Sequence, residues 1–256
     1  MHDSSSLGAD NVAHVFGEVR NLGARPLTGI LLQLEVPGHT ALSFAPALVV
    51  IPAGQSAPFD VPLPPGVAPL AAPQVTITAS SATSVETAPL SVGQLKRIDP
   101  GDGQLTLNGQ LANAGTRPVR VFGIAAAVLD QAGVMQGVGT DAALVRYLAP
   151  GQQAPFAIIL PGPQQDGDQW TVSLDARPVQ PAAATISATI SNAYHDECGC
   201  FHLAGLVTNP GAQALTVPLV AAVYDAAHDV IPAGRAGRPF ARLPALIIKR
   251  LLLRSG

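Results

Sequence analysis

An all-β chain of tandem small sandwich domains is the fold class this sequence predicts, and three observations predict it. Apolar residues make up 48% of the chain and aromatics only 4%, while 25 glycines and 24 prolines divide it into short stretches. A pattern Gly-x-apolar-x-Asn-x-Gly occurs three times, at Gly17–Gly23, Gly109–Gly115 and Gly205–Gly211. Around each copy, apolar and polar residues alternate with the period of two that marks a half-buried strand. Many short strands broken by Gly/Pro turns suit this balance better than helices do.

The spacing of the pattern sets the domain organisation. Gly17 and Gly109 are 92 residues apart, and Gly109 and Gly205 are 96 apart. Such periods are domain-sized and far longer than a solenoid repeat. The expected domains are 1–88, 89–181 and 182–256, with linkers at Ser80–Val92 and Pro178–Ala184.

The second copy is the most complete. A first strand is expected around Leu95–Ile98, followed by a turn at Asp99–Gly103. From Gln104 the alternation places Leu105, Leu107, Gly109 and Leu111 on one face and Thr106, Asn108 and Gln110 on the other. Gly109 on the apolar face implies a bulge or close approach by a neighbouring element. Asn113-Ala114-Gly115 turns the chain into a central strand, Val119–Leu129, with Phe122, Ile124, Ala126 and Val128 on one face. The first-copy counterparts are Ile30, Leu32, Leu34 and Val36; the third-copy counterparts are Val217, Leu219, Ala221 and Val223. The central strand ends at Asp130-Gln131-Ala132-Gly133, a hairpin-type turn with Gly placed for positive φ.

Next comes Leu148-Ala149-Pro150-Gly151-Gln152, then Ala154-Pro155-Phe156, mirrored in the first copy by Ile51–Gln55 and Ala57-Pro58-Phe59. A Pro/Gly turn here feeds a strand from Phe156 to Leu160, confined by its proline to an edge or a strand start. A last strand alternates Trp170, Val172 and Leu174, matched by Val75, Ile77 and Ala79, with Trp170 expected in the core. Six or seven short strands in about 90 residues is the signature of an immunoglobulin-like sandwich.

Asn-x-Gly, an alternating strand ending Val128-Leu129-Asp130 or Val223-Tyr224-Asp225, and the two Pro-containing blocks together resemble the FxLYD domain of bacterial and archaeal cell-envelope proteins. The resemblance covers most of the chain as tandem copies. It implies β-sandwich modules on exported proteins, and it brings no catalytic residues with it. At the hairpin position the first copy has Val36-Pro37-Gly38, where that family has an aromatic or Leu followed by Asp.

The two ends depart from the repeat. Met1–Leu7 is too polar for a first strand, so the first domain is expected to lack one. Up to Asp229 there are 8 basic and 17 acidic residues, and after it 6 basic residues and no acid. The Leu-x-Pro-Gly-Gln block is absent there, unless Ile231-Pro232-Ala233-Gly234 and Pro239-Phe240 are a displaced version. The switch reads as a shifted frame or fragment end, as divergent last strands, or as a basic apolar tail. Ala245–Leu253 is too short to span a bilayer, and Met1–Asp10 shows no signal peptide.

The densest chemical cluster is His195-Asp196-Glu197-Cys198-Gly199-Cys200-Phe201-His202. His195, Cys198, Cys200 and His202 could ligate a borderline metal such as zinc. Cys-x-Cys is not the usual zinc spacing, and no second pair follows. A strained Cys198–Cys200 disulfide and ordinary turn residues are the other readings, with the last expected. His14, His39 and His228 are isolated and read as surface residues, and Ser4-Ser5-Ser6 and Ser80-Ser81 as loops. The spaced glycines open no helix that could hold a phosphate.

The functional expectation is a non-enzymatic structural or interaction module, spacing or presenting other parts or binding an unknown protein or glycan. Its extracytoplasmic location is implied by the resemblance alone. No cofactor, nucleic acid or membrane span is expected. The alternatives are an accessory region of a larger exported enzyme and a small metal-binding protein using the Cys198/Cys200 cluster. The nine motif positions, Gly17, Asn21, Gly23, Gly109, Asn113, Gly115, Gly205, Asn209 and Gly211, are read as structural.

Overall fold

A computed structural model describes residues 4–7, 12–98, 105–141, 145–160, 169–180, 187–195, 197, 201–208, 219–224, 230–235 and 247–253. Every regular element among them is a β-strand. Strands β1 (Ser4–Leu7), β2 (Ala13–Arg20), β3 (Leu27–Glu35), β4 (Leu42–Phe44), β5 (Val50–Ile51), β6 (Ser56–Pro62) and β7 (Gln74–Ala82) belong to the first sequence copy. The second has β8 (Ser91–Ile98), β9 (Leu105–Ala112), β10 (Val119–Leu129), β11 (Met135–Asp141), β12 (Tyr147–Leu148), β13 (Gln153–Leu160) and β14 (Gln169–Pro178). The third has β15 (Ser187–His195), β16 (Phe201–Thr208), β17 (Leu219–Tyr224), β18 (Val230–Arg235) and β19 (Ile247–Leu253).

The first two copies use the same pairing plan. In the first, β1-β2-β6 form a three-stranded sheet, while β3 is flanked by β7 on one side and by β4 and then β5 on the other. In the second, β8-β9-β13 form the three-stranded sheet and β10 is flanked by β11, β12 and β14. The third copy has β15-β16 and β18-β17-β19. These strand pairs are antiparallel, and neighbours such as β1/β2, β10/β11 and β15/β16 are joined by the short connections that antiparallel pairing permits.

Cα proximity divides the chain into two compact units. One comprises Met1–Ala88, Val121–Ala142 and Ile158–Arg177; the other comprises Pro89–Arg120, Ala143–Ala157 and Pro178–Gly256. Strands β10 and β13 therefore contribute residues to both.

Within the first unit, one core is built from two sheets. Val15 and Val19 of β2 and Ala57, Phe59 and Val61 of β6 meet Ile30, Leu32 and Leu34 of β3 and Ile51 of β5. Alternation along β3 aims Ile30, Leu32, Leu34 and Val36 inward, and all four are buried. Strand β2 also buries Phe16 on its other face, in a smaller cluster with Ala127, Met135 and Val138. A strand covered on both faces is apolar on both, and the Ile124–Val128 part of β10 meets that requirement.

Three expectations need correction here. Ser4–Leu7 is a first strand despite its polarity, paired with Ala13–Phe16. Pairing needs only backbone groups, and the Ser5 hydroxyl adds a 2.8 Å bond to the His14 carbonyl. Ser80-Ser81 belongs to β7 rather than to a linker. Ile77 stays 47% exposed, because β7 is an edge strand of which only Val75 packs on the core. Phe122 is 43% exposed rather than buried. Burial shifts parity across Phe122-Gly123, from Val119 and Val121 to Ile124, Ala126 and Val128, with Ala125 and Ala127 buried as well.

Candidate functional site

The two separate sequence motifs, Asn-x-Gly and Pro-Gly-Gln, form one device in space. Asn21 is fully buried at the end of β2. Its Nδ2 donates to the carbonyls of Arg25 (2.9 Å), Ile51 (3.0 Å) and Pro52 (3.2 Å), while its Oδ1 accepts the Gly23 N–H at 2.9 Å. The backbone continues the tie: Asn21 N–H donates to the Gln55 carbonyl, and Gly54 N–H donates to the Asn21 carbonyl, both at 2.9 Å. Asn113 repeats this arrangement. It donates to Arg117 (2.9 Å) and Leu148 (3.0 Å), accepts Gly115 N–H (3.0 Å), and exchanges backbone bonds with Gln152 and Gly151. A carboxamide alone among short side chains offers two donors and an acceptor for such a joint.

The glycines serve close approach more than unusual dihedrals. A Cβ on Gly23 or Gly115 would lie 3.2 Å from the Oδ1 of its own asparagine, so the Asx-turn leaves little room for one. A Cβ on Gly109 would fall 2.5 Å from Phe156 Cζ and 2.9 Å from Leu95 Cδ2. Gly17 directly faces Phe59 across the β2/β6 ladder. Positive φ is found instead at Gly54 (74°) and Gly151 (72°) of the Pro-Gly-Gln turns, and at Gly133 (77°) of the hairpin. Gly205 is in β16, where a Cβ would collide with the Thr189 carbonyl oxygen. Asn209 and Gly211 lie outside the described residues.

The Cys/His cluster falls at the β15/β16 hairpin. His195 ends β15 opposite Phe201, Glu197 is exposed in the turn, and His202 is in β16 opposite Tyr194. The His202 and Tyr194 rings stack at 5.1 Å with planes 13° apart. Asp196, Cys198 and Cys200 lie outside the described residues, as do His228, Val217 and Asp225. Among the described residues, no three His, Cys, Asp or Glu side chains converge as metal ligands.

A cleft of about 580 Å³ opens at one end of the first unit, lined by Glu35, Val36, Pro37, Gly38, His39, Leu70, Ala71, Ala72 and Gln74. It lies where the first copy departs from the second. In the second copy Asp130 closes a tight turn, accepting Ala132 and Val134 N–H at Oδ1 (2.9 Å each) and Gln136 at Oδ2 (3.0 Å). Gly38, its first-copy counterpart, has no such side chain, and the loop is held by His39 N–H donating to the Val36 carbonyl at 3.0 Å. The result is a concave surface with a carboxylate, an imidazole and a carboxamide on its rim.

Sequence reasoning missed two pairings. His14 Nδ1 and Asp60 Oδ1 are 2.6 Å apart, and the His14 ring stacks on Phe16 at 5.6 Å. Nothing local links residues 46 apart, so only the fold brings them together. The Arg177 guanidinium covers Phe122, 4.1 Å from the ring centroid, and makes a two-point pair with Asp175 (2.9 and 2.7 Å). Asp175 is only 1% exposed. Asp-x-Arg on one face of a strand was its available sequence signal. Trp170 is half-buried rather than a core residue. No helix among the described residues is long and apolar enough to cross a membrane. No family model matches the chain, and no curated protein or solved structure matches it.

Proposed function

We propose that the chain is a non-enzymatic, extracytoplasmic module of tandem immunoglobulin-like sandwiches of FxLYD type, which spaces or presents other parts and binds a protein or glycan through its loops and edges. The observation that carries this reading is the use of buried polarity. Asn21 and Asn113, each at most 1% exposed, direct every side-chain bond at backbone groups of their own repeat. A polar group committed in this way holds loop geometry and has no capacity left for a substrate. The parts that differ between otherwise matching repeats are loops, and differences carried by loops on a constant framework are how binding modules diversify. The Glu35/His39/Gln74 cleft is the clearest such difference.

Location is the part of this proposal most open to test. Intact cells expressing the native protein are treated with a membrane-impermeant, amine-reactive biotinylation reagent. Labelling before lysis is expected. Labelling only after lysis, with a surface control labelled normally, refutes the extracytoplasmic assignment.

A further inference from the structure

We infer that the joint between the first copy and the β10-β11 hairpin of the second is locked rather than hinged, so that the spacer does not bend at this connection. Joined domains pivot by default unless the surface between them is apolar and well packed. Within the first compact unit that condition is met. Strand β2 is hydrogen-bonded on both edges, by β1 and β6, so β11 approaches it across a sheet face. There Phe16 of β2, 3% exposed, packs with Ala127, Met135 and Val138 of the second copy. The Ser4 hydroxyl on β1 donates to the Met135 carbonyl. Ala125 of β10 is part of the first copy's core, and a Cβ on Gly123 would lie 3.3 Å from Leu48 Cδ2.

The sequence is adapted to this contact. Gly123, Ala125 and Ala127 occupy the face of β10 turned to the first copy, and their counterparts on β3 are Leu31, Gln33 and Glu35. On β3 those positions stay open, with Leu31 41% exposed, Gln33 half-buried and Glu35 exposed. Small side chains let two sheets approach, whereas Gln and Glu would strand polar groups between them. The connection itself is held at both ends. Residues 83–90 contain no glycine; Thr83 N–H donates to the Pro26 carbonyl of the first copy (2.9 Å), and Ala88 N–H to the Ala176 carbonyl of the second (2.8 Å). The plan recurs in the second unit, where β9 has both edges occupied and β18 of the third copy lies against β9 and β8. Contacts between successive repeats are what make a repeat array behave as one body.

The inference rests on the spacer reading and specifies how the spacing is held. Met135, 5% exposed and one of the chain's two methionines, reports from inside the joint. The full chain is treated with dilute hydrogen peroxide, and conversion of Met135 to its sulfoxide is followed by mass spectrometry against free methionine. A locked joint should slow the conversion at least about tenfold, and Thr83 and Ala88 N–H should exchange slowly with solvent. Ala125→Gln combined with Ala127→Glu gives β10 the outer face that β3 carries, and should speed Met135 oxidation at least about tenfold over wild type. Phe16→Ser makes the same test from the first copy's side and should also speed it. Oxidation of Met135 in the native chain at the rate of free methionine, fast exchange at Thr83 and Ala88, or oxidation that neither variant changes overturns the inference. Surface labelling reports location and not packing, so the two proposals fail separately.

Discussion

Removing the Asn21 carboxamide should be among the most damaging single changes in the first unit. Its amide group reaches three carbonyls and its oxygen holds one N–H. Two amide protons serve the three carbonyls, so the change to alanine deletes the equivalent of three hydrogen bonds, about 1 kcal/mol each. The bond to Ile51 is buried. Leaving that carbonyl dry adds about 1–2 kcal/mol, for a total near 4 kcal/mol. With a urea m-value of about 2 kcal/mol/M, the midpoint for Asn21→Ala should fall by about 2 M. Trp170 is the chain's only tryptophan and lies in the same compact unit, so its fluorescence reports the transition. Asn21→Asp discriminates between mechanisms. It keeps the oxygen that accepts Gly23 N–H but turns a buried carboxylate toward three carbonyl oxygens, so it should be at least as damaging as alanine. A midpoint shift below about 0.5 M for alanine, or rescue by aspartate, would refute the cross-tie.

Further substitutions test the remaining packing arguments. Gly109→Ala places a methyl 2.5 Å from Phe156 Cζ and should cost about 1–3 kcal/mol by overpacking; thermal melting should show the loss, and Phe156→Leu in the same chain should recover part of it. Gly115→Val crowds the Asn113 oxygen, 3.2 Å from the new Cβ, and should lower the stability of the second copy, with wild-type melting as the contrary result. Arg177→Ala leaves Asp175, 1% exposed, without its two-point partner. A cost of about 3–5 kcal/mol is expected for a buried charge stranded in this way. Arg177→Lys should restore little of it, since an ammonium reproduces neither the fork nor the stacking on Phe122; urea unfolding of both variants decides this.

Most of the strands were legible because their signal is local. Period-two alternation located β9, Gly and Pro marked the Asp130–Gly133 turn and the Pro-Gly-Gln turns, and the recurrence of the motif exposed the repeat. What escaped depends on neighbours. Ser4–Leu7 has no apolar face of its own and is a strand only because β2 offers it an edge. Phe122 has the composition of a core position and the exposure of a rim position, because a cation from β14 covers it. The cross-tie was visible as two motifs but not as one, since neither states that Asn113 and Leu148 meet across 35 residues. Asn108, assigned by alternation to the polar face, is 3% exposed, which shows that face is also covered.

The central claim is that the motif strand of the first two copies, β2 and β9, has a neighbour on both edges. Amide hydrogen exchange resolved by residue tests it most directly. An antiparallel strand with a single neighbour bonds alternate N–H groups, whereas a strand with two neighbours bonds all of them. Through His14–Phe16 and Leu107–Leu111, exchange should be slow at successive residues. Fast exchange at alternate residues of His14–Phe16 or Leu107–Leu111 would contradict the account.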